Sequence, residues 1–465
     1  PYDREWMDEL SRIHRKEFEI VISNPVDISH YLLEFYTVSK SVFGAQTSGH
    51  PAAGNIQNLE QLMELGRAGN LDANDQHVVN IVDWLLQYAF DQRASDIHLE
   101  PRREMSNVRF RIDGVMHDVY QIPTSVMAAV SSRIKIIGRM DVAEKRRPQD
   151  GRLKTRNHEG QEVELRLSTM PTAFGEKLVM RIFDPEVLVR NYRELGFSER
   201  DDEVWNAMIS QPNGIILVTG PTGSGKTTTL YSTLKQLAKP EVNVCTVEDP
   251  IELVEPSFNQ MQVQRNIDLD FSTGVRTLMR QDPDIIMIGE IRDMETAEMA
   301  IQAALTGHLV LSTLHTNDAP SAITRMLDIG LPPYLLQSSI LGVMAQRLVR
   351  TLCPHCKRPV DISDEEWNAL VKPWRSKKPD HVMSPVGCLE CRNTGYMGRM
   401  GLYEMFTFTS KVRKLVNSSC DISDLRQQTL KDGLTPLRLS GASKVARGMT
   451  TIEEVMRVAP PPLTQ

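Results

Sequence analysis

The sequence predicts an α/β protein of several domains, with a parallel sheet at its centre. Apolar runs that end in polar residues alternate with helical segments after residue 191, and one run leads directly into the glycine-rich stretch GPTGSGKTTT. Before residue 190, strand-like alternation is broken by an Asp113-Gly114 turn. The first pattern is typical of a parallel sheet covered on both faces. The second is typical of a mixed α+β domain.

Composition limits the class of partner and the compartment. The 465 residues, 41% of them hydrophobic, suffice for roughly two to four domains. The formal net charge of −7 gives no basic footprint, so direct nucleic-acid contact is not expected. No stretch reaches the roughly 18 apolar residues of a spanning helix, and the N-terminus has no signal-peptide pattern. We therefore expect a cytoplasmic protein, and we interpret Pro1 as the start of a trimmed or processed chain.

The front half divides at the polar stretch AQTSGHPAAGN. Residues 1–73 show apolar residues at helical spacing before this stretch, which predicts short helices and a linker. Residues 74–190 form a separate middle domain, in which a helix precedes the hairpin VRFRIDGVMHDVY and the strand pair EVELRLSTMP and KLVMRIFD follows. The apolar face of the predicted helix consists of Val78, Ile81, Val82, Leu85 and Leu86.

The back half carries the parallel-sheet pattern. Within residues 191–350, helical segments separate the strand-like runs GIILVTG, NVCTVED, DIIMIGE and HLVLSTL. Two Cys-x-x-Cys pairs lie in an insert at residues 351–402, and residues 403–465 are predicted to be helical.

The stretch after GIILVT matches the phosphate-binding loop G-x-x-x-x-G-K-[ST], between a strand and a helix as the motif requires. Its glycines let backbone N–H groups turn toward phosphate oxygens, and Lys226 adds a positive charge at the β and γ phosphates. The Thr227 hydroxyl is a ligand for Mg²⁺. The predicted nucleotide-binding residues are Gly220, Pro221, Thr222, Gly223, Ser224, Gly225, Lys226, Thr227 and Thr228.

Acidic residues end two other strands at the same predicted edge. Glu290 follows the run DIIMIG, while Glu248 and Asp249 follow NVCTV. Because parallel sheets bind ligands at the carboxyl ends of their strands, Glu290 is placed to orient an attacking water. Either Glu248 or Asp249 could hold Mg²⁺ or polarise water, and their spacing does not rank these roles. The alternative for each acid is a surface position at a strand end.

The two Cys-x-x-Cys pairs predict a metal site. In a reducing cytosol this spacing favours a tetrahedral Zn²⁺ ion over disulfides. Four thiolates close the ligand shell, so the site is structural rather than catalytic. His355 is a weaker substitute ligand, and Cys245 and Cys420 are expected to be ordinary core or surface residues. The predicted zinc ligands are Cys353, Cys356, Cys388 and Cys391.

Several segments resemble the motifs of one family. The stretches TVEDPIE (246–252), LMRQDPDIIMIGEIRD (278–293) and ALTGHLVLSTLHTN (304–317) are similar to the acidic box, the second phosphate-loop motif and the histidine box of the type II secretion and type IV pilus assembly ATPases. ASDIHLEP (94–101) and VRFRIDG (108–114) resemble the middle domain of that family.

This resemblance, which covers roughly residues 75–458, implies a RecA-like ATPase core with ATP, Mg²⁺ and Zn²⁺ as cofactors and a PAS-like middle domain. It implies a hexameric motor at the cytoplasmic side of the inner membrane that acts on a platform or anchoring protein and drives assembly of a pilus or pseudopilus. In this family the tetracysteine insert is typical of assembly and secretion motors and is generally missing from retraction motors. The insert therefore favours extension or export.

The resemblance also suggests roles for histidines and arginines. His308 and His315 flank LVLSTL, and we expect this strand to bring both near the same edge, where a neutral imidazole can sense the γ-phosphate. Arg166 and Arg181 lie on strand-like segments of the middle domain. Each either forms a salt bridge or stabilises the γ-phosphate bound to a neighbouring domain. Arg152 is a weaker candidate.

Two other functions stay open. Related ATPases serve conjugation and DNA uptake, although the net acidity and the lack of a basic, aromatic-interleaved stretch argue against direct DNA contact. A regulatory nucleotide-binding scaffold without turnover is disfavoured by the intact set of Lys226, Thr227 and Glu290. The sequence also leaves open whether a cyclic dinucleotide binds upstream and whether residues 1–70 dock to a membrane-anchored partner.

Overall fold

The computed structural model describes residues 72–183 and 191–459. The helices and linker predicted for residues 1–73 fall outside the described residues, apart from the last two positions. Residues 184–190, at the end of the predicted middle domain, fall outside them as well. Within the two described ranges, no helix is both long enough and apolar enough to cross a bilayer.

An antiparallel six-stranded sheet with the order β3-β2-β1-β6-β5-β4 occupies the first range. Two helices, α1 (Gln76–Asp91) and α2 (Thr124–Ile137), share one buried apolar cluster with it. The strands are β1 (Ala94–Glu100), β2 (Met105–Ile112), β3 (Val115–Pro123), β4 (Gln149–Arg156), β5 (Glu162–Thr172) and β6 (Gly175–Phe183).

Local sequence explains two features of this unit. The predicted apolar face of α1 is buried along its whole length, because residues at helical spacing share one side of the helix. The β2–β3 hairpin turns at Asp113 and Gly114, whose φ angles are 50° and 85°. Positive φ at both central residues is the requirement of a two-residue type I′ turn. The predicted helix and the predicted hairpin are both confirmed.

A seven-stranded sheet with the order β15-β12-β7-β11-β10-β8-β9 lies in the second range. Only the β12–β15 pair is antiparallel, and all residues of the four predicted strands are buried. The predicted largely parallel sheet covered on both faces is therefore confirmed. The strands are β7 (Gly214–Thr219), β8 (Val244–Glu248), β9 (Asn259–Gln262), β10 (Ile285–Ile288), β11 (Leu309–Leu314), β12 (Ile340–Leu352) and β15 (Tyr396–Thr407).

The second range also contains twelve α-helices. They are α3 (Tyr192–Leu195), α4 (Glu199–Ile209), α5 (Lys226–Leu237), α6 (Phe271–Leu278), α7 (Met294–Leu305), α8 (Pro320–Asp328), α9 (Pro333–Ser339), α10 (Asp364–Val371), α11 (Ser410–Leu415), α12 (Ile422–Lys431), α13 (Leu437–Ala446) and α14 (Ile452–Val458).

The long strands β12 and β15 depart from the prediction. The core was expected to end at residue 350 and the helical tail to begin at residue 403, but β12 continues to Leu352 and β15 to Thr407. The helical prediction is therefore wrong for residues 403–407, which belong to the edge strand of the core sheet. Two polar residues, Gln346 and Arg347, interrupt the apolar run of β12, and two glycines interrupt β15, so neither segment shows a clean strand pattern.

A small lobe connects β12 to β15. It contains the antiparallel pair β13 (Arg358–Val360) and β14 (Val382–Ser384), together with α10. Trp367 of α10 is buried and packs in one apolar cluster with the C-terminal helices α13 and α14. The lobe is thus anchored both to the core sheet and to the helical tail.

Candidate active site and cysteine cluster

The phosphate loop joins β7 to α5 at the carboxyl edge of the seven-stranded sheet. Helix α5 begins at Lys226, so its unpaired N–H groups face the loop. Residues 221–223 are exposed, whereas Ser224 is buried. Thr227 is exposed in the first turn of α5, where its hydroxyl is accessible to a cation. The loop has the architecture that the sequence predicts.

Two glycines let the loop pack against β12. The φ angle is 152° at Gly220 and 86° at Gly225. A Cβ at Gly220 would lie 2.5 Å from the backbone oxygen of Gln346, and one at Gly225 would lie 2.8 Å from Nε2 of the same residue. Only glycine fits both the backbone conformation and the space. Gln346 therefore packs directly against the loop. Its Oε1 also accepts a hydrogen bond from Thr229 of α5 at 3.0 Å.

Lys226 is held inside the loop. Its Nζ donates to the backbone oxygens of Gly220 at 2.8 Å and Pro221 at 3.1 Å. Burial lowers the pKa of Lys226 to about 8, an effect that Glu290 opposes and Arg347 reinforces. Bound phosphates would supply negative charge next to this ammonium and raise its pKa again.

Glu290 lies beside Lys226, just after β10. Its Oε2 is 3.4 Å from Nε2 of His315, and its other oxygen accepts a hydrogen bond from Arg292. Burial and the nearby Lys226 lower the pKa of His315, while Glu290 opposes the shift. The imidazole is therefore neutral at pH 7 and can donate one hydrogen bond. The structure brings together Lys226, Glu290 and His315, as the sequence predicts.

Glu248 is placed differently from Glu290. Its buried carboxylate accepts hydrogen bonds from the Tyr231 hydroxyl at 2.6 Å, from Thr246 at 2.6 Å and from Gln260 at 3.2 Å. Burial raises the pKa of Glu248. Three donors occupy this carboxylate, which links α5 to β8 and β9, whereas the adjacent Asp249 is exposed. A role for Glu248 in Mg²⁺ binding or water activation stays a prediction.

His308 lies at the opposite end of β11 from His315. The six residues of β11 separate the two, which puts them roughly 23 Å apart at about 3.3 Å per residue. The backbone N–H of Gly214, which starts β7, donates to the carbonyl of His308 at 3.1 Å, and Nδ1 of His308 is 2.8 Å from the Ala303 oxygen. The expectation that both histidines share one edge is wrong, because the two ends of a strand lie at opposite edges of the sheet.

The arginines of the middle domain form a row on the polar face of the six-stranded sheet. Arg152 pairs across strands with Arg166, and Arg166 with Arg181. Arg166 donates to the backbone oxygen of Ile251 at 3.2 Å, in the segment after β8 of the same chain. Arg181 forms an ion pair with Asp96 at 3.1 Å and keeps a side chain that is 56% exposed. Within one chain, the salt-bridge interpretation describes both arginines, because Arg166 also lies 3.7 Å from Glu252.

The cysteine pairs converge on one point. Their four Sγ atoms lie within 4.8 Å of one another. The Sγ–Sγ distance is 3.8 Å for Cys353–Cys388 and for Cys356–Cys391, and 3.7 Å for Cys388–Cys391. A tetrahedral ion with sulfur ligands at about 2.3 Å requires about 3.8 Å between sulfurs. A backbone N–H, that of Gly395, also donates to Cys391 Sγ at 3.2 Å. The four cysteines therefore fit the ligand shell of a tetrahedral metal ion.

The other candidate ligands lie outside this cluster. His355 is not among the converging groups in the described part of the chain. Cys245 is a buried residue of β8, and Cys420 is partly buried in the C-terminal region. The cluster closes the lobe, because one pair follows β12 and the other precedes β15.

Comparison with known proteins decides the family. The family model described as type II/IV secretion system protein matches residues 72–457. The chain belongs to this family. The type IV pilus assembly ATPase TfpB of Acinetobacter baylyi is 57% identical over 461 residues, which are 99% of this chain and 79% of TfpB. The type II secretion system ATPase E of Vibrio cholerae is 38% identical over 466 residues, 98% of this chain and 90% of the relative.

A solved structure agrees with this assignment. The pilus retraction motor PilT with bound ADP has a TM-score of 0.57 and 25% identity to this chain, over 82% of this chain and 97% of PilT. Together the comparisons confirm the predicted secretion and pilus ATPase family, the α/β fold and an ATP-hydrolysing enzyme.

Four side chains at the site of this secretion-family ATPase were not predicted. Arg292 binds Glu290, and Thr316 Oγ1 lies 2.8 Å from Thr219 Oγ1, which joins the ends of β7 and β11. Arg347 is 5% exposed and donates to carbonyl oxygens after β11 and at the end of α14, at 2.8 and 3.2 Å. An arginine inside the mostly apolar run ILGVMAQRLV is the sequence signal that would have identified Arg347.

Proposed function

We propose that the chain is the ATPase motor of type IV pilus assembly, with the pseudopilus of type II secretion as the alternative. The observation that carries the proposal is the grouping of Lys226, Glu290 and His315 at the carboxyl edge of the parallel sheet. The relative that is 57% identical over 99% of the chain is named a type IV pilus assembly ATPase, which supports the pilus over secretion.

Each residue of the site has a defined role in this proposal. Residues 220–228 bind ATP. The Lys226 ammonium leaves its hydrogen bonds to the loop carbonyls and binds the β and γ phosphates instead. Thr227 holds Mg²⁺, which neutralises phosphate charge. Glu290 orients the attacking water, and the neutral imidazole of His315 donates a hydrogen bond to the γ-phosphate or to Glu290. Arg292 holds the Glu290 carboxylate until nucleotide binds.

The finer description of the fold is part of the proposal. We assign the seven-stranded sheet to a RecA-like core, the six-stranded sheet to a PAS-like middle domain and the lobe at residues 353–395 to an insert in the core. The four cysteines, whose Sγ–Sγ distances support the assignment, hold a structural Zn²⁺ ion.

The motor works as a ring of six chains at the cytoplasmic face of the inner membrane, on a platform or anchoring protein. Each ATP is completed by an arginine from the neighbouring chain. Arg181 is preferred for this role, because its side chain is 56% exposed, whereas the side chain of Arg166 is 22% exposed. Hydrolysis then changes the angle between the two sheets, and the ring changes shape in sequence.

Mixing two inactive variants tests the ring. Lys226→Ala and Arg181→Ala chains should each be inactive, and an equal mixture should recover about one quarter of the native rate, since one interface in four pairs an intact loop with an intact arginine. The control is Arg156→Ala, which removes an arginine that is 71% exposed on the same sheet and should keep full activity. If rings form and mixing restores nothing, Arg181 does not act across subunits.

A cellular experiment separates the alternatives. Cells with Glu290→Gln at its native locus should contain the protein and assemble no pili, while type II secretion continues. Loss of secretion with normal pili would assign the chain to the secretion machine. Added DNA should leave the ATPase rate of the purified chain unchanged, and stimulation by DNA would favour a DNA-traffic motor.

A further inference from the structure

A short irregular segment follows β11 and carries His315. Residues 315–319, which we call the His315 segment, connect the end of β11 to the start of α8. They belong to no helix or strand, so their position depends on bonds made by individual groups rather than on a backbone ladder. One bond comes from the core sheet, where the N–H of Thr316 donates to Thr219 Oγ1 at 2.8 Å. Three others join the segment to the C-terminal helices.

The first link runs through the buried guanidinium of Arg347 on β12. Its Nη2 donates to the carbonyl of Asn317 at 2.8 Å. Its Nε donates at 3.2 Å to the carbonyl of Val458, the last residue of α14. Because one planar, rigid group holds both carbonyls, a shift of α14 also displaces the donor that holds Asn317.

The second link is the buried carboxylate of Glu404 on β15. Its Oε1 accepts a hydrogen bond from the N–H of Ala319 at 2.9 Å. Its Oε2 accepts one at 3.1 Å from the N–H of Leu437, the first residue of α13. Both bonds are charge-assisted and shielded from water, because the side chain is buried. Glu404 therefore joins the end of the His315 segment to the start of α13.

The third link is an ion pair between the His315 segment and α12. Nη2 of Arg426 lies 2.7 Å from Oδ2 of Asp318, and both side chains are partly buried. The same helices also pack through apolar residues, since Ile323 of α8 and Leu425 of α12 belong to one buried cluster. The ion pair therefore extends the contact between α8 and α12 to the His315 segment.

The position of this segment matters because His315 contacts Glu290 only at its outer reach. Nε2 of His315 lies 3.4 Å from Oε2 of Glu290, so a further shift of about 1 Å would break the contact. The His315 side chain is 49% exposed, and its neighbours enclose only part of it. The backbone of the segment therefore determines where the imidazole lies.

We propose that the C-terminal helices α12, α13 and α14 position His315 beside Glu290. Arg426, Glu404 and Arg347 are the positioning residues, because each bonds both to the His315 segment and to one of these helices or lies on it. The inference rests on the role proposed above for His315 in hydrolysis. A partner that moves these helices would therefore change the hydrolysis rate without contacting the nucleotide.

Hydrogen exchange of the full chain tests the positioning independently of hydrolysis. The reporter is the amide of Thr316, which bonds to Thr219 and to none of the substituted residues; mass spectrometry with electron-transfer fragmentation resolves it. Glu404→Gln keeps the size of the side chain but turns an NH₂ group toward an N–H donor, and exchange should accelerate by at least about tenfold.

A second variant and a matched control complete the exchange experiment. Arg426→Gln removes a partly buried ion pair and should accelerate exchange of the same amide by about threefold. This milder change keeps the test decisive if Glu404→Gln fails to fold. Lys431→Gln removes an exposed charge from the end of the same helix and should leave exchange unchanged.

Single-turnover kinetics test whether the effect reaches hydrolysis through His315. His315→Gln should slow hydrolysis by at least about tenfold. Arg426→Gln should slow it by about threefold, with ATP affinity within about twofold of native, and Arg426→Lys should restore most of the rate because it keeps the ion pair. In the His315→Gln background, Arg426→Gln should change the rate by less than about 1.5-fold, because both substitutions act through one group.

The two assays separate this inference from the proposed function. Native exchange of the Thr316 amide in Arg426→Gln, and in Glu404→Gln where it folds, would overturn the positioning. Effects of Arg426→Gln and His315→Gln on hydrolysis that multiply fully would overturn it as well. Native hydrolysis by His315→Gln, together with faster exchange in the two helix-link variants, would instead refute the role of His315 in hydrolysis and support the positioning.

Discussion

Replacing Cys388 and Cys391 by serine tests the metal site at the base of the lobe that connects β12 to β15. Their sulfurs, 3.7 Å apart, lie at a separation that a tetrahedral zinc ion requires. We expect the native chain to carry about one zinc ion and the double variant none, because two thiolates cannot close the ligand shell. The lobe between β12 and β15 then loses the link that joins its two ends.

The size of the effect follows from how the lobe is anchored. Structural zinc contributes about 10–16 kcal/mol in small domains, but here Trp367 also packs against the C-terminal helices. We therefore expect amide exchange in residues 353–395 to accelerate by at least about a hundredfold, or about 2.7 kcal/mol. The phosphate loop should stay formed, because Gln346, the β12 residue that packs against it, lies far from the zinc site. Gln346 precedes Cys353 by seven residues, which is about 23 Å of extended chain.

Three measurements check this prediction: elemental analysis, hydrogen exchange by mass spectrometry and binding of a fluorescent ADP analogue. The matched control is Cys420→Ser, which removes a free cysteine outside the cluster and should leave zinc content and exchange unchanged. A zinc-free native chain with the same exchange protection would show that no structural zinc ion holds the lobe. Disulfides among the four cysteines in reduced cytosolic material would refute the zinc site as well.

Two further predictions concern the phosphate loop. Because the pKa of Lys226 is about 8 in the free chain and bound phosphates favour its charged form, ATP binding should take up a proton above about pH 8. The Kd for ATP should then rise by up to about tenfold per pH unit, up to about pH 10. Calorimetry in two buffers of different ionisation enthalpy measures the proton uptake, and binding without uptake at about pH 9 would contradict this prediction. Gly220→Ala should abolish nucleotide binding, because its Cβ would lie 2.5 Å from a backbone oxygen of β12. Gly223→Ala, with a φ angle of 78° but no atom within 4 Å of the added carbon, isolates the backbone cost and should bind more tightly than Gly220→Ala.

Local patterns of the sequence predicted much of the fold and of the site. The face of α1, the Asp113-Gly114 hairpin and the phosphate loop each depend on residues close together in the chain. Glu290 was predicted because parallel strands bring their carboxyl ends to one edge. The same rule, applied correctly, separates His308 from His315, since one precedes β11 and the other follows it.

The remaining features depend on contacts that are distant in sequence. β15 pairs with β12, which lies more than forty residues earlier in the chain. Its apolar pattern is interrupted by two glycines, so the segment is recognisable as a strand only from this pairing. Arg347 finds its acceptors after β11 and at the end of α14. Glu248 is engaged by Tyr231 and Gln260, which come from a helix and another strand. Side-chain partners of this kind are decided by packing rather than by local periodicity.

We propose that Glu290 orients water for ATP hydrolysis at this phosphate loop. Parallel measurements of ATP affinity and single-turnover hydrolysis in the native chain and in Glu290→Gln test it most directly. Glutamine preserves the size of the side chain but removes the charge that faces Lys226 and His315. We expect ATP to bind within about threefold of the native affinity and hydrolysis to slow by at least about 10²–10³-fold. A variant that binds ATP normally and hydrolyses it at the native rate would contradict the assignment of Glu290.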